Sequence, residues 1–541
     1  MNKVLMLGLD GVGYPMLEPA FAAGHMPNLN ALLDRGASGV LESTIPPYTP
    51  PGWTSIFTGV NPGRHGIFGF TLGNIQRSPE LVSLGRVQAP AIWNALNAQG
   101  IPVGLFNIPM TYPAPAVQGF SVSGMLTPEG GGATPDNFTY PESLADDIAS
   151  VVESYEIDIE VDYENDWRST IIEERLSRNL AVKRAALSLL LDRHRELTFL
   201  FAVLEAPDRL MHVHYKYIDP TCEHFGRPEA EPIRERIWQF FDEMDDMIGD
   251  LLAWAGSEGY VVTMSDHGFG PKDKSVNMNV ALREWGLLAT STGAIASSQG
   301  ARRLARRAKK ILPKTVWKRA KSAAHGTIDW ERTKAFSAPI PQQGIYINLK
   351  GREPNGIVDE SEYEAVRAEI IERLHALVDP DDGRPVVDRV YRREEVMTGP
   401  VAAEAPDLFP VCRAYSYELS DGLYSPDVLD DYRDLPRGFH HVDGIFGIQG
   451  PGIEPTGSTS DTPRAVLYDI MPTALYLAGA KIPDVDGRVL TELLPATMLA
   501  EREPKIEALD LPNAGEGAAP APYSAEEEAQ IEESLRNLGY L

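Results

Sequence analysis

Cysteine is nearly absent, standing only at positions 222 and 412 of a 541-residue chain. Cys222 and Cys412 lie far apart with no ligand-like spacing, which excludes a disulfide framework and a thiolate zinc site and fits a reducing cytoplasm. Long hydrophobic runs are missing too. The longest, Leu197 to Leu204 and Tyr260 to Met264, fall far short of the roughly 20 residues a bilayer-spanning helix requires, so no transmembrane segment is expected. Met1-Asn2-Lys3 leads straight into Val4 to Leu9 with no small-residue cleavage site before Asp10, which reads as a first core strand rather than a signal peptide. Positive charge is scarce: 49 Lys and Arg stand against 77 Asp and Glu, a formal charge of -28. Such a surface repels phosphates and argues against sequence-specific or generic nucleic-acid binding. Any phosphate chemistry must then draw on local positive charge, which bound metal can supply.

What is present is enough apolar residue, 43% of the chain, to bury a large core. Several short apolar runs end at a polar residue and pass into a helical period, the pattern of an α/β fold with a mainly parallel sheet flanked by helices. Lys3 to Leu9 ends at Asp10, Leu197 to Leu204 near Asp208, and Tyr260 to Met264 at Asp266. Gly444 to Gln449 follows a His pair, whose contribution is expected from a loop. Ligands collect at the carboxyl ends of strands in open α/β sheets. The catalytic body is expected over residues 1–495, with cap-like insertions at about 127–166 and 290–324. The second insertion holds a basic segment, 302–321, interleaved with Leu304, Ile311, Leu312, Val316 and Trp317. It reads as amphipathic helix broken at Pro313, either a solvated cover on an acidic body or a peripheral contact with an anionic surface. Residues 496–523, rich in Pro, Ala and acid, read as a linker, and 524–541 as a terminal helix capped by Ser524.

Five places carry candidate chemistry. In Ala206-Pro207-Asp208-Arg209-Leu210-Met211-His212 a helix starting at Pro207 puts Asp208 and His212 on one face, where one metal takes both. Ser265-Asp266-His267-Gly268 breaks an apolar strand with a carboxylate and an imidazole side by side. Asp10 ends the first strand in Gly8-Leu9-Asp10-Gly11. His440 and His441 form a pair among only eleven histidines, and chemistry alone does not choose between them. Each, taken singly, also fits an ordinary strand end or turn. Tyr48-Thr49-Pro50-Pro51-Gly52-Trp53-Thr54-Ser55-Ile56-Phe57-Thr58-Gly59 offers a nucleophile, with Thr44, Thr49, Thr54, Ser55 and Thr58 all eligible. A helix beginning at about Pro51 would aim N–H groups at an anion beside Thr49, which favours that residue.

Together, and in this order along the chain, the motifs resemble the alkaline phosphatase superfamily, within it the type I phosphodiesterase and nucleotide pyrophosphatase branch. The likeness extends to Tyr468-Asp469-Ile470-Met471-Pro472-Thr473 and Asp484-Val485-Asp486-Gly487-Arg488, which look like the branch's closing helix and loop. It implies Thr49 as the nucleophile of a covalent phosphothreonine route, and His440 rather than His441 as a ligand. It implies two divalent ions, one held by Asp208, His212 and His440, the other by Asp10, Thr49, Asp266 and His267. Mixed carboxylate and imidazole ligands suit zinc, with manganese compatible. Two such ions clamp an in-line displacement at phosphorus in a small phosphate-ester substrate. The chain departs from the branch where nucleotide pyrophosphatases carry an asparagine after the nucleophile segment, a position near Phe70 here, and that puts nucleotide specificity in doubt. An arginine beside Thr49, as phosphomonoesterases use, is absent from the segment, and so is the Cys/Ser-x-Pro-x-Arg signature of sulfatases. A diester substrate is expected. A phosphomonoesterase, a phosphonate hydrolase, a phosphate mutase or a catalytically idle scaffold are the alternatives.

Overall fold

The computed structural model describes residues 3–76, 80–128, 137–159, 172–290, 328–337, 343–420, 423, 425–456, 463–516 and 523–537. The run at 4–9 is apolar throughout because the strand it forms is covered on both faces, with all six residues buried, as parallel strands between helix layers are. That strand lies at the middle of a nine-stranded sheet. The order is Arg464–Val466, Ala37–Glu42, Asp443–Gln449, Tyr260–Met264, Val4–Leu9, Phe199–Leu204, Val103–Ile108, Gly119–Ser123, Thr139–Tyr140. Phe199–Leu204 and Tyr260–Met264 flank the central strand in parallel, and Val4 stands opposite both Phe199 and Tyr260. Three strands therefore end level, and the residues after them emerge side by side at one edge. Val103–Ile108 and Gly119–Ser123 extend the parallel set. The α/β fold with a mainly parallel sheet is as the sequence implied.

Two strands run the other way, the edge strand Thr139–Tyr140 and, within the sheet, Asp443–Gln449. Asp443–Gln449 is antiparallel to both Ala37–Glu42 and Tyr260–Met264, so its beginning, not its end, reaches the edge where the carboxylates gather. The His pair before it is not in a loop. Gly438–His441 is a strand paired antiparallel with Gly268–Pro271, with Phe269 opposite His440, and strand alternation sends His440 and His441 to opposite faces.

The first expected insertion partly belongs to the scaffold, since Thr139–Tyr140 adds to the sheet edge beside Gly119–Ser123. The basic segment 302–321 lies outside the described residues. Described residues before and after it in sequence build a second apolar core, broader than the insertion expected there. Its four-stranded sheet runs Ala335–Ser337, Ile345–Ile347, Leu408–Cys412, Val387–Arg392, packed by the helix Glu360–His375 through Val366, Ile370 and Leu374. The stretch read as a linker opens with a helix, Ala496–Glu501, and its Ala514 N–H donates to Ala89 O at 2.8 Å. Tyr523 stacks on Tyr112, and the helix Ala525–Asn537 buries Ile531 and Leu535 in the main core. Among the described residues no helix is long and apolar enough to cross a membrane.

Candidate metal centre

Thr49 opens the helix Thr49–Thr58, two residues earlier than the sequence suggested, with extended Tyr48 as N-cap and prolines in the first turn. Fixed φ favours proline there, but Pro50 and Pro51 carry no N–H. The Gly52 N–H is engaged by Tyr48 O at 2.8 Å. Of the first four helical residues only Thr49 keeps an N–H to turn to an anion, fewer than a start at Pro51 implied. The other candidate hydroxyls are occupied. Thr44 Oγ1 donates to Pro46 O at 2.8 Å and Thr54 Oγ1 to Pro50 O at 2.7 Å. Thr58 Oγ1 donates to Thr54 O at 2.5 Å, and Ser55 Oγ lies 3.0 Å from His65 Nε2. Thr49 Oγ1 instead faces His267 Nε2 at 3.4 Å. The helix start sits hard against the strand end: a Cβ at Gly52 would lie 3.0 Å from Asp266 Cβ.

Asp208 and His212 share a face of the buried helix Ala206–Ile218, the spacing of four doing what the sequence implied. Asp208 Oδ1 lies 3.4 Å from His212 Nε2 and 3.2 Å from His440 Nε2, and the two Nε2 atoms are 2.9 Å apart. His440 Nδ1 is 2.9 Å from Pro47 O, and His267 Nδ1 is 3.1 Å from Gly268 O. A carbonyl only accepts, so the proton of each ring is on Nδ1 and each Nε2 lone pair faces the site. His441 turns away, its Nδ1 accepting from Asp443 N–H at 3.2 Å and its ring against Tyr415. His267 Nε2 lies 3.3 Å from Asp266 Oδ2, 3.7 Å from Asp10 Oδ1 and 3.9 Å from Asp208 Oδ1. Two trios with donor atoms within 4.8 Å of one another result, Asp208, His267, His440 and Asp10, Asp266, His267. All seven residues singled out in the sequence converge, and His267 stands where the trios meet.

The electrostatics ask for cations. Burial, then Asp266 and Asp208, push the Asp10 carboxyl well above the ordinary carboxylate range. Burial and then Asp208 do the same to Asp266. Burial would raise Asp208 also, but His212, His440 and Arg209 outweigh it and hold it well below that range. Burial lowers His212 to about 4 and, with His440 beside it, drives His267 well down. Imidazoles held down in this way favour the neutral form, which can donate a nitrogen lone pair to a cation. Asp10 Oδ1 and Asp266 Oδ2 are buried and accept no hydrogen bond among the described residues, an arrangement that is costly unless something else binds them. Carboxylate oxygens and neutral imidazole nitrogens around them fit a pair of divalent ions.

Two supporting residues went unread in the sequence. Trp53 Nε1–H donates to Asp10 Oδ2 at 3.0 Å, and the room for its ring comes from Gly8, where a Cβ would meet Trp53 Cη2 at 2.3 Å. Its place one helical turn after Thr49 was the available signal. Arg209 is 2% exposed and bonds Asp208 through Nη1; nothing in the sequence said that this arginine points inward.

The chain matches the family model for type I phosphodiesterase / nucleotide pyrophosphatase over residues 4–417. No curated protein sequence matches it. Among solved structures it is similar to phosphonoacetate hydrolase from Sinorhizobium meliloti 1021 in complex with phosphonoacetate, at 18% identity and a TM-score of 0.51, covering 88% of this chain and 96% of that one. The same hydrolase with phosphonoformate gives 19% and 0.50 over the same shares. Murine ectonucleotide pyrophosphatase / phosphodiesterase 5 gives 12% and 0.48, covering 91% and 100%. The structural likeness carries the fold; the family model carries the assignment. The chain belongs to the type I phosphodiesterase and nucleotide pyrophosphatase family and is a metal-dependent hydrolase of phosphate esters.

Proposed function

We propose that this enzyme is a phosphodiesterase in which Thr49 attacks phosphorus and carries the phosphoryl group as a covalent threonine ester. The observation that supports it best is the position of Thr49 Oγ1, which faces His267 Nε2 at 3.4 Å beside two buried carboxylate oxygens that accept no hydrogen bond among the described residues. Asp208, His212 and His440 would hold one divalent ion and Asp10, Thr49, Asp266 and His267 the other, zinc by preference; bound there, the pair acidifies a hydroxyl and neutralises phosphoryl oxygens. Thr49 forms the Oγ1–P bond as the ester bond to the leaving alcohol breaks, and water then cleaves the threonine ester and restores the hydroxyl. Starting the helix at Thr49 fixes the attacking oxygen against the strand ends, so little orientation is left to chance.

A diester, with one phosphate charge, suits the site better than a terminal phosphate with two. Arg209, the cation beside Asp208, already gives its guanidinium to Asp208 and Asp158. Two free cysteines accord with a cytoplasmic enzyme. The test compares bis-(p-nitrophenyl) phosphate, p-nitrophenyl phosphate and phosphonoacetate in wild type and Thr49→Ala. The diester should be turned over best, and Thr49→Ala should lose more than about a thousandfold in kcat while keeping bound metal. A variant as active as wild type would end the covalent route, and faster turnover of monoester or phosphonoacetate would end the diester assignment.

A further inference from the structure

We infer that Arg209 and Asp158 form a two-step support that positions Asp208 for metal binding, and that the strap 155–159 braces the metal centre from outside its ligands. The inference rests on the ligand role proposed for Asp208.

Asp208 has two oxygens with different tasks. Oδ2 takes the hydrogen bond from Arg209 Nη1. Oδ1 is left toward the imidazoles, 3.2 Å from His440 Nε2 and 3.4 Å from His212 Nε2. With one oxygen tied back, the carboxylate offers the other as a single, directed donor. Arg209 itself is 2% exposed, and a guanidinium taken out of water needs full compensation. Asp158 provides it from the far side, accepting from Nε at 3.1 Å and Nη2 at 2.8 Å, the forked geometry in which arginine binds carboxylate. Arg209 is thus held between two carboxylates, and only one of them belongs to the metal centre.

The strap is well anchored. Tyr155, Ile157 and Ile159 are buried, while Asp158 between them reaches Arg209. Ile157 O accepts from Lys183 Nζ at 2.7 Å and Glu156 O from Asn179 Nδ2 at 2.7 Å, both on the helix Ser177–Arg193. Lys183 also pairs with Glu205, the residue that caps the helix carrying Asp208. Two charge-assisted rungs therefore bind the strap to the start of that helix. The charge balance matters too. Without Asp158 the whole positive charge of Arg209 falls on Asp208, competing with a cation for the same carboxylate.

Metal affinity should report this without recourse to turnover. Chelator competition on purified protein loaded with Zn²⁺ alone would compare wild type, Asp158→Asn, Arg209→Lys, Arg209→Met and the double variant Asp158→Asn/Arg209→Met. Asp158→Asn should weaken one of the two metals by about ten- to a hundredfold. Arg209→Lys, a point charge unable to fork between two carboxylates, should weaken the same one. Because Asp158 acts through Arg209, adding Asp158→Asn to Arg209→Met should change affinity no further. Cobalt-substituted Asp158→Asn should show an altered visible ligand-field spectrum, which a role in folding alone would not give. Affinity unchanged in both Asp158→Asn and Arg209→Lys would overturn the support, as would additivity in the double variant. Should Asp158→Asn not fold, Arg209→Lys and its cobalt spectrum decide by the same criterion. A wild-type protein that binds no metal would instead overturn the ligand assignment itself.

Discussion

Replacing Asp266 with Asn should make the metal-free protein more stable while removing its ability to hold metal. Asp266 and Asp10 present oxygens within 4.8 Å of each other, both buried, and at an effective dielectric of about 20 two unit charges at that separation repel by about 3 kcal/mol. Part of this is already relieved in wild type, because burial favours the protonated form of both carboxyls; the expected gain is about 1–3 kcal/mol. The amide oxygen of Asn still accepts the Gly11 N–H that Asp266 Oδ1 takes at 3.3 Å, so no new unsatisfied group arises at that atom. Urea unfolding in excess chelator measures the gain, and the same titration with Zn²⁺ should reverse the order, because only wild type is then stabilised by binding to the folded state. Asp266→Asn less stable than wild type in chelator would refute the reasoning, since it would mean that these carboxylates do not burden the empty site.

Two further outcomes follow from other places in the molecule. Trp53→Phe removes a hydrogen bond to the Asp10 carboxylate and leaves a void against Gly8, so unfolding free energy should fall by about 2–5 kcal/mol, with weaker metal retention; unchanged values in both would show that the indole only fills space. In the second core, burial would raise the Asp379 carboxyl, but Lys274, the Tyr417 hydroxyl and the Asp381 N–H outweigh it and lower it to about 2. A depressed folded-state value means stability present above the unfolded value near 3.8 and lost as pH falls toward 2. Asp379→Asn should therefore cost about 2 kcal/mol at pH 7 and progressively less between about pH 4 and pH 2, measured by urea unfolding; a cost independent of pH would contradict the ion pair.

The sheet and the candidate ligands were legible because the three central strands announce themselves twice, by unbroken apolar runs and by the acid at or just beyond the end of each. Asp208 and His212 needed only helical spacing. What stayed hidden depended on pairing between distant segments. Nothing local marks Asp443–Gln449 as antiparallel, nor Gly438–His441 as a strand, since its ladder is made with Gly268–Pro271 far away in sequence. The choice of His440 over His441 likewise comes from that ladder, which the residues alone left open and the family likeness resolved. The second core escaped notice because two of its strands are only three residues long and a third, Val387–Arg392, is charged and largely unburied, so no apolar run marks it. The tail at 496–523 reads as a linker by composition, yet a few contacts from Ala514 and Tyr523 hold it down. Arg209 looks like a surface charge in the sequence, and its burial goes with a carboxylate on each side, Asp208 and the distant Asp158.

The most direct test is metal stoichiometry by elemental analysis of purified wild type, His440→Ala and His441→Ala. Two divalent ions per chain are expected in wild type and in His441→Ala, whose imidazole faces Tyr415, and no more than one in His440→Ala. Fewer than two in wild type, or a His440→Ala protein that keeps both, would contradict a centre in which these buried acids and imidazoles share a pair of cations.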